Sequence, residues 1–214
     1  MVGQGVLREC LLDPVIDAVL TVGRTATGVT HAKLRELVRA DLLHYDDIEA
    51  ELRPVDACFF CLGISAGGLS EAQYARVTYD ITLAAAQTLS RLNEGMTFVY
   101  VSGAGTDSSE KGRVMWARVK GKTENALMRL PFKGAYMFRP GVIQPMHGEQ
   151  SKTPAYRILY SLTKPLFPLL RRLFPKYVLT TEEIGRAMIH AAERGAPKRV
   201  LEIADIRACA KPGA

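Results

Sequence analysis

The chain has 214 residues, 48% hydrophobic and 23% charged, which is typical of a globular protein with one large core. It shows no internal repeat, no low-complexity stretch and no apolar run of the roughly 18 residues that a membrane-spanning helix needs. The net charge of +6 comes from residues 151–181, which hold six bases and no acid. Elsewhere the charges balance, so nucleic-acid binding is not expected.

The first half of the chain alternates short predicted elements. Val2, Val6 and Leu11 recur at helical spacing until Asp13-Pro14, which predicts an amphipathic helix. A strand is expected over residues 18–25, where it ends in Gly-Arg. A helix is expected over residues 33–39 and a short strand in LLHYDD, residues 42–47. The apolar run VDACFFCLG, residues 55–63, is typical of a parallel strand buried on both faces.

The second half continues the alternation. We expect helices over residues 70–93, with Ser70 as N-cap, and over 113–130; the strands lie in MTFVYVSGAG and AYMFRPGVI. A Thr180/Glu183 capping box predicts a helix that stops at Gly195, and RVLEI is the last strand. Regular alternation of this kind predicts a single α/β domain over residues 1–214. Its fold would be a Rossmann-like, doubly wound parallel sheet with helices on both faces.

The remaining general expectations concern location and cysteines. No N-terminal stretch has the order of a secretory signal peptide, so a cytoplasmic location is expected. Cys58 and Cys61 form the one C-x-x-C pair. Because this pair lies inside an apolar β-type run without a second pair of ligands, reduced core cysteines are favoured over a redox or zinc site. No metal is expected.

Two glycines stand at the very start of the first helix. In a nucleotide-binding sheet, a strand and a glycine-rich turn precede this helix and hold a pyrophosphate at its N-terminus. By this interpretation Gly3 would be the last glycine of that turn, and we expect the strand and leading glycines to lie ahead of Met1. About twenty residues on, Arg24 favours NADP over NAD. The less favoured alternative, that Arg24 is a solvated cation at a strand end, stays open.

Six motifs occur in a specific order: MVGQGV, VGRT, FFCLG, YVSGAGTD, WARVKGKTENAL and RPGVIQP. Through them, nearly all of the chain to about residue 150 resembles the atypical and extended short-chain dehydrogenase/reductase superfamily. Within it, the chain is similar to epimerase-like proteins near the Tat-interacting-protein and NmrA-like groups. The resemblance implies a Rossmann fold that binds NADP, with NAD as the alternative. The residues that it implies for cofactor binding are Met1, Val2, Gly3, Arg24, Thr25, Asp46, Leu62, Gly63, Lys120, Pro140, Gly141 and Val142.

The chemistry of that superfamily uses a serine and a tyrosine–lysine pair one helical turn apart. The lysine lowers the pKa of the phenol, which exchanges a proton with the substrate as hydride moves. In this sequence the resemblance assigns the serine to Ser102 and the lysine to Lys120, but Trp116 stands at the usual tyrosine position. Indole is a hydrogen-bond donor only, so Trp116 itself does not transfer a proton near neutral pH.

Three interpretations of Trp116 remain open. It packs or stacks in a protein that binds the cofactor without turnover; another side chain supplies the proton; or the substrate reacts without an acid at that point. The side chains considered for the second case are Tyr74, Tyr79, Tyr156, Tyr160 and His147.

The basic segment, residues 151–181, falls where the superfamily has a variable substrate-covering region. Pro165, Pro168 and Pro175 forbid one long helix there. Its apolar residues could pack on the domain, cover a substrate or contact a membrane surface. If the segment covers a substrate, its cations would favour an anionic small molecule.

The sequence as a whole leads to two functional hypotheses. One is an NADP-dependent oxidoreductase or nucleotide-sugar-epimerase-like enzyme, and the other is a non-catalytic NAD(P)-sensing or scaffold protein.

Overall fold

A computed structural model describes residues 1–149 and 177–211. The helices are α1 (Val2–Leu12), α2 (Glu71–Ala75), α3 (Ile81–Leu92), α4 (Met115–Leu127), α5 (Thr181–Arg194) and α6 (Ile203–Cys209). A π-helical segment (Arg76–Asp80) joins α2 to α3 without a break. The strands are β1 (Val19–Gly23), β2 (Leu34–Val38), β3 (Ala57–Phe60), β4 (Thr97–Val101), β5 (Gly134–Phe138), β6 (Val142–Gln144), β7 (Val178–Thr180) and β8 (Val200–Leu201).

Every strand pair in the described chain is parallel. The largest sheet has the order β3-β4-β5-β8, and β1 pairs with β2 and β6 with β7 in two separate sheets. Helices α1, α5 and α6 cover one face in a core that includes Val6, Ile184 and Ile206. Helices α3 and α4 cover the other, with Leu89 and Leu127. The fold is α/β and Rossmann-like, as the sequence predicts.

Glycines allow α1 and α5 to pack closely. A methyl group added at Gly5 would lie 2.5 Å from the Cβ of Thr181, and one added at Gly185 would lie 2.7 Å from the Cγ of Glu9. Neither glycine has a positive φ, so close approach of the two helices is what excludes a side chain. Gly5 therefore has a packing role that the sequence analysis did not identify.

Two predicted elements are wrong. Residues 33–39 form strand β2 instead of a helix, because Leu34–Val38 pair in register with Val19–Gly23 and Leu37 packs into the core beside Leu20 and Val22. The segment 42–47 is not a strand. The Asp41 carboxylate accepts hydrogen bonds from the Leu43 backbone N–H (2.8 Å) and from the His44 ring (2.6 Å), which fixes a turn.

The other predicted helices and strands are found close to their expected positions. Thr180 and Glu183 form the predicted capping box of α5, and Ser70 caps α2 with Gln73. Most of the basic segment, residues 151–176, lies outside the described residues, whereas Val178–Thr180 form β7 and Thr181 begins α5. Within the described ranges no helix is long and apolar enough to span a bilayer.

The β1-β2 sheet and the four-stranded sheet are not hydrogen-bonded to each other. β1 lacks a pairing with β3, although Val19 of β1 and Phe59 of β3 pack into one hydrophobic cluster with Val6 of α1. The order is consistent with one strand position between β1 and β3. The strand ahead of Met1, and the gap of roughly 9 to 10 Å that its absence would leave, remain predictions.

Candidate functional site

The carboxyl ends of β3, β4 and β5 meet at one edge of the large sheet. Phe60, Tyr100 and Met137 are register partners across these strands, so the residues that follow them lie side by side. The Ser102 N–H donates to the Phe138 carbonyl (2.7 Å), and the Ala104 N–H donates to the Pro140 carbonyl (2.9 Å). The loop after β4 is thereby fixed against the predicted cofactor residues Pro140, Gly141 and Val142.

Ser102 follows β4 directly and is buried. Its Oγ lies 3.0 Å from Thr106 Oγ1, and the Thr106 hydroxyl in turn donates to the Gly103 carbonyl (2.8 Å). Since Thr106 uses its proton on that carbonyl, the Ser102 hydroxyl is left to donate to Thr106 or to a bound ligand. Thr106 was not identified from the sequence.

Lys120 projects from α4 toward the end of β4. Its Nζ lies 3.4 Å from both the Tyr100 hydroxyl and the Val101 carbonyl oxygen, and 5.1 Å from the centre of the Tyr100 ring. Burial of the ammonium lowers the pKa of Lys120 to about 8, with Glu124 acting in the opposite direction. Tyr100 and Ser102 are two residues apart and so point to the same face, which α4 covers.

Trp116 lies one helical turn before Lys120 and covers the loop after Ser102. Atoms of its six-membered ring are 4.0 Å and 3.6 Å from the positions that a Cβ would take at Gly103 and Gly105. Gly105 also has a positive φ of 85°, so this loop needs glycine for its conformation as well as for its contact with the indole. The structure thus brings Ser102, Trp116 and Lys120 together at one strand end.

The next part of this loop is attached firmly to α4. The Asp107 carboxylate accepts from the Ser109 N–H (3.0 Å), the Ser109 hydroxyl (2.6 Å) and the Gly112 N–H (2.6 Å). A Cβ at Gly121 would lie 1.8 Å from the Asp107 carbonyl oxygen. Gly121, which follows Lys120, therefore allows the loop to rest directly on the helix.

Arg139 forms a buried ionic network behind the site. Its guanidinium donates to Glu124 through Nε (3.0 Å) and Nη2 (2.5 Å), to Ser108 Oγ (2.6 Å) and to Glu202 (3.2 Å). Glu124 is fully buried, and these bonds raise the pKa of Arg139 despite its burial. The network connects α4, the loop and β5. The sequence signal for it was the arginine of RPGVIQP.

The N-terminus of α1 lies beside the end of β3. A Cβ at Gly3 would be 3.2 Å from the Cβ of Cys61, which directly precedes Leu62 and Gly63. Met1 is the N-cap of the helix. The structure therefore places Gly3 beside the residue that precedes Leu62 and Gly63, and a side chain at Gly3 would require Cys61 to shift by a few tenths of an ångström.

Arg24, Thr25 and Asp46 lie apart from the Lys120 group. Arg24 and Thr25 follow β1 in the two-stranded sheet, and Asp46 begins a short 3-10 turn (Asp46–Ile48); all three are exposed. Beside them, Arg39 pairs with Asp47 at 2.7 Å and donates its backbone N–H to the Gly23 carbonyl (2.8 Å). These contacts link the end of β1 to the 3-10 turn.

The candidate proton donors lie in different surroundings. Tyr74 is buried, which raises the pKa of its phenol, and Tyr79 stacks on Lys122 with the ammonium 4.5 Å from its ring centre. His147 lies 3.5 Å from Glu182 at the start of α5, on the other face of the sheet from α4. Tyr156 and Tyr160 lie outside the described residues.

The cysteines are all free, and among the described residues no group of three side chains could hold a metal ion. Burial raises the pKa of Cys58 to about 12 and also raises that of Cys61. Both thiols are therefore protonated near neutral pH and poor nucleophiles.

Comparisons with known proteins find solved structures that share this fold. A short-chain dehydrogenase family protein from Francisella tularensis has a TM-score of 0.63 at 15% identity, over 91% of this chain and 87% of that one. The Bordetella bronchiseptica enzyme WbmG in complex with NAD and UDP has a TM-score of 0.65 at 12% identity, over 94% and 68%. UDP-glucose 4-epimerase from Thermotoga maritima has a TM-score of 0.63 at 12% identity, over 97% and 77%.

The chain has the fold of the short-chain dehydrogenases and epimerases. No protein-family model matches its sequence. Curated relatives include protein fmp52-2, mitochondrial, of Aspergillus oryzae, 27% identical over 96% of this chain and 90% of that protein. Protein FMP52, mitochondrial, of Chaetomium globosum is 28% identical over 96% and 91%. Both relatives are named as mitochondrial proteins, which contradicts the expected cytoplasmic location.

Proposed function

We propose that this protein binds a nicotinamide dinucleotide along the strand ends and acts as an oxidoreductase or epimerase-like enzyme on a small carbonyl or sugar-type substrate. The observation that carries the proposal is the convergence of Ser102, Trp116 and Lys120 at the end of β4. Solved structures with the same fold hold NAD, and one holds UDP as well.

The residues at this edge fit such a cofactor. The ammonium of Lys120 has three N–H donors, and its two hydrogen-bond contacts are both long, at 3.4 Å. Donor capacity is thus left for the hydroxyl groups of a ribose. At α1, the close approach of Gly3 to Cys61 suits a pyrophosphate on the backbone of Met1, Val2 and Gly3. When bound, the dinucleotide supplies or accepts a hydride.

NADP is the cofactor that we favour, through Arg24 and Thr25. Both are exposed just beyond β1, where an adenosine 2′-phosphate would lie if Asp46 adjoins the adenine. A charge-assisted contact between arginine and phosphate contributes about 1.5–3 kcal/mol, or roughly ten- to a hundredfold in affinity.

We further propose that the protein is associated with mitochondria, as its relatives' names suggest, and cell fractionation tests this.

Cofactor titrations of Arg24→Ala test the assignment, with Arg35→Ala as the matched control. Arg35 is an exposed arginine on β2 outside the candidate site. We expect Arg24→Ala to weaken NADPH binding at least tenfold while NADH binding is unchanged, and Arg35→Ala to alter neither. Equal effects of the two variants on NADPH would contradict a specific phosphate contact.

A second candidate function is cofactor sensing without turnover, which the indole at position 116 favours because it carries no transferable proton. Oxidation of NADPH followed by absorbance, with a panel of small carbonyl compounds and nucleotide sugars, separates the two functions. Turnover of any panel member supports the enzyme. Tight NADPH binding without turnover of any of them supports the sensor.

A further inference from the structure

Trp116 leaves the site without the usual proton donor, and Lys120 is the nearest titratable side chain on the same face of α4. Residues four apart on a helix lie on one face, so Lys120 and Trp116 both point toward the loop after Ser102. The Lys120 ammonium reaches the carbonyl of Val101, the residue directly before Ser102, at 3.4 Å. A proton on Nζ is therefore held beside the serine that would orient a substrate oxygen.

The other described candidates do not share this position. Tyr79 contacts Lys122, which is two residues from Lys120 and so lies on roughly the opposite side of α4. Tyr74 is 2% exposed. His147 adjoins Glu182 at the start of α5, across the sheet.

We propose that Lys120 is the proton donor and acceptor of this site, in the role that a tyrosine at position 116 would otherwise have. The inference rests on the proposed oxidoreductase function. In reduction, the hydride of the reduced nicotinamide nucleotide ends on the carbonyl carbon, and the electron pair of the C–O π bond takes a proton from the Lys120 ammonium. The products are an alcohol, the oxidised nucleotide and a neutral Lys120 amine, which recovers its proton from water.

The surroundings of Lys120 suit proton transfer near neutral pH. On its own helix, Glu124 favours the charged form, but Arg139 from β5 already pairs with Glu124. From β4, Tyr100 offers a neutral phenol, because burial raises its pKa; Tyr74 from α2 lies on the same side and is also neutral. Among the described residues Lys120 forms no salt bridge, and its desolvated ammonium has a pKa of about 8. Reduction needs its protonated form, so the rate should fall as pH rises through that value.

The first test is independent of turnover. Lysines are methylated with a ¹³C label, the Lys120 signal is assigned by its loss in Lys120→Arg, and its chemical shift is followed with pH. We expect a midpoint near 8 for Lys120 in the cofactor-free protein, well below the ordinary lysine value of about 10.4. A Lys120 midpoint above 10 would overturn the proposal.

The second test is kinetic. Lys120→Arg keeps a positive charge for the cofactor but cannot titrate in this range, so kcat for carbonyl reduction should fall at least a hundredfold while the Kd for NADPH changes less than tenfold. Lys122→Arg, the matched control, should retain both. A Lys120→Arg variant with kcat within threefold of the parent protein would refute proton transfer by this lysine.

Trp116→Tyr separates failure of this inference from failure of the proposed function. If the parent protein reduces nothing but Trp116→Tyr does, the site is competent and Lys120 is not its acid. If neither reduces any carbonyl although NADPH binds, the oxidoreductase function and the inference fail together. We expect the parent protein to be active with a reduction rate that falls as pH rises through about 8, and the rate of Trp116→Tyr to show no such fall near pH 8.

Discussion

β1 and β4 have similar apolar sequences, VLTVG and TFVYV, yet the structure buries them very differently. In β4, Phe98, Val99 and Tyr100 are 0% exposed, whereas every residue of β1 is only partly buried. β4 has a hydrogen-bonded neighbour on each side, while β1 has β2 alone. Burial in this molecule therefore depends on the number of neighbouring strands more than on the composition of the strand, and the site is attached to the better buried sheet.

The largest expected effect comes from the core of the large sheet. Phe98 stacks between Phe60 and Phe132, with ring centres 5.9 Å and 5.1 Å away. Phe98→Ala should lower the free energy of unfolding by about 3–5 kcal/mol, because it leaves a cavity in a packed core. Leu20→Ala in β1 is the control in the smaller sheet and should cost only about 1–2 kcal/mol. Equal losses in urea denaturation would contradict the contrast between the sheets.

Gly121→Ala should have the next largest effect. Its methyl group would overlap the Asp107 carbonyl, so the loop must leave α4, at a cost of about 3 kcal/mol. Gly63→Ala is the matched control, since a Cβ there meets nothing within 4 Å. We expect it to change the free energy of unfolding by less than about 0.5 kcal/mol. The two variants are compared by urea denaturation, and a stable Gly121→Ala protein would show that the loop is not held against the helix.

The separation of the two sheets leads to a third prediction. A strand and turn of about ten residues joined ahead of Met1 should pair with β1 and β3 and raise the free energy of unfolding by about 2 kcal/mol, or roughly 4–8 °C in Tm. NADPH should also bind more tightly. A Gly/Ser extension of the same length is the control. If both extensions leave Tm and affinity unchanged, no strand position lies between β1 and β3.

The sequence predicted the parallel α/β fold because long apolar strands and capped helices carry strong local signals. It failed at residues 33–39, where Leu34 and Leu37 fit helical spacing but pairing with β1 makes Leu34–Val38 a strand. It also failed at residues 42–47, where hydrogen bonds to Asp41 fix a turn in place of the predicted strand. At the site, motif order identified Ser102, Trp116 and Lys120. Packing between distant segments determines the contacts of Tyr100 and Thr106 and the weak pairing of Lys120, and one sequence does not reveal such packing.

The smallest expected effect concerns the polar contacts of the two-stranded sheet. The Glu36 carboxylate on β2 accepts from the Thr27 N–H (2.8 Å) and from the Thr21 hydroxyl of β1 (3.4 Å), and the bond from Thr27 is the main cause of its lowered pKa. Because the folded pKa lies below the unfolded one, this contribution is present above the ordinary glutamate pKa of about 4.3 and is lost as pH falls through the folded value. Glu36→Gln should therefore lose a little stability at pH 7 and show a shallower decline than the parent protein between about pH 5 and 3. Thermal melts across that range measure both slopes. Parallel curves would mean that the pKa of Glu36 is the same in the folded and unfolded protein, and that its hydrogen bonds to Thr27 and Thr21 do not stabilise the pairing of β1 with β2.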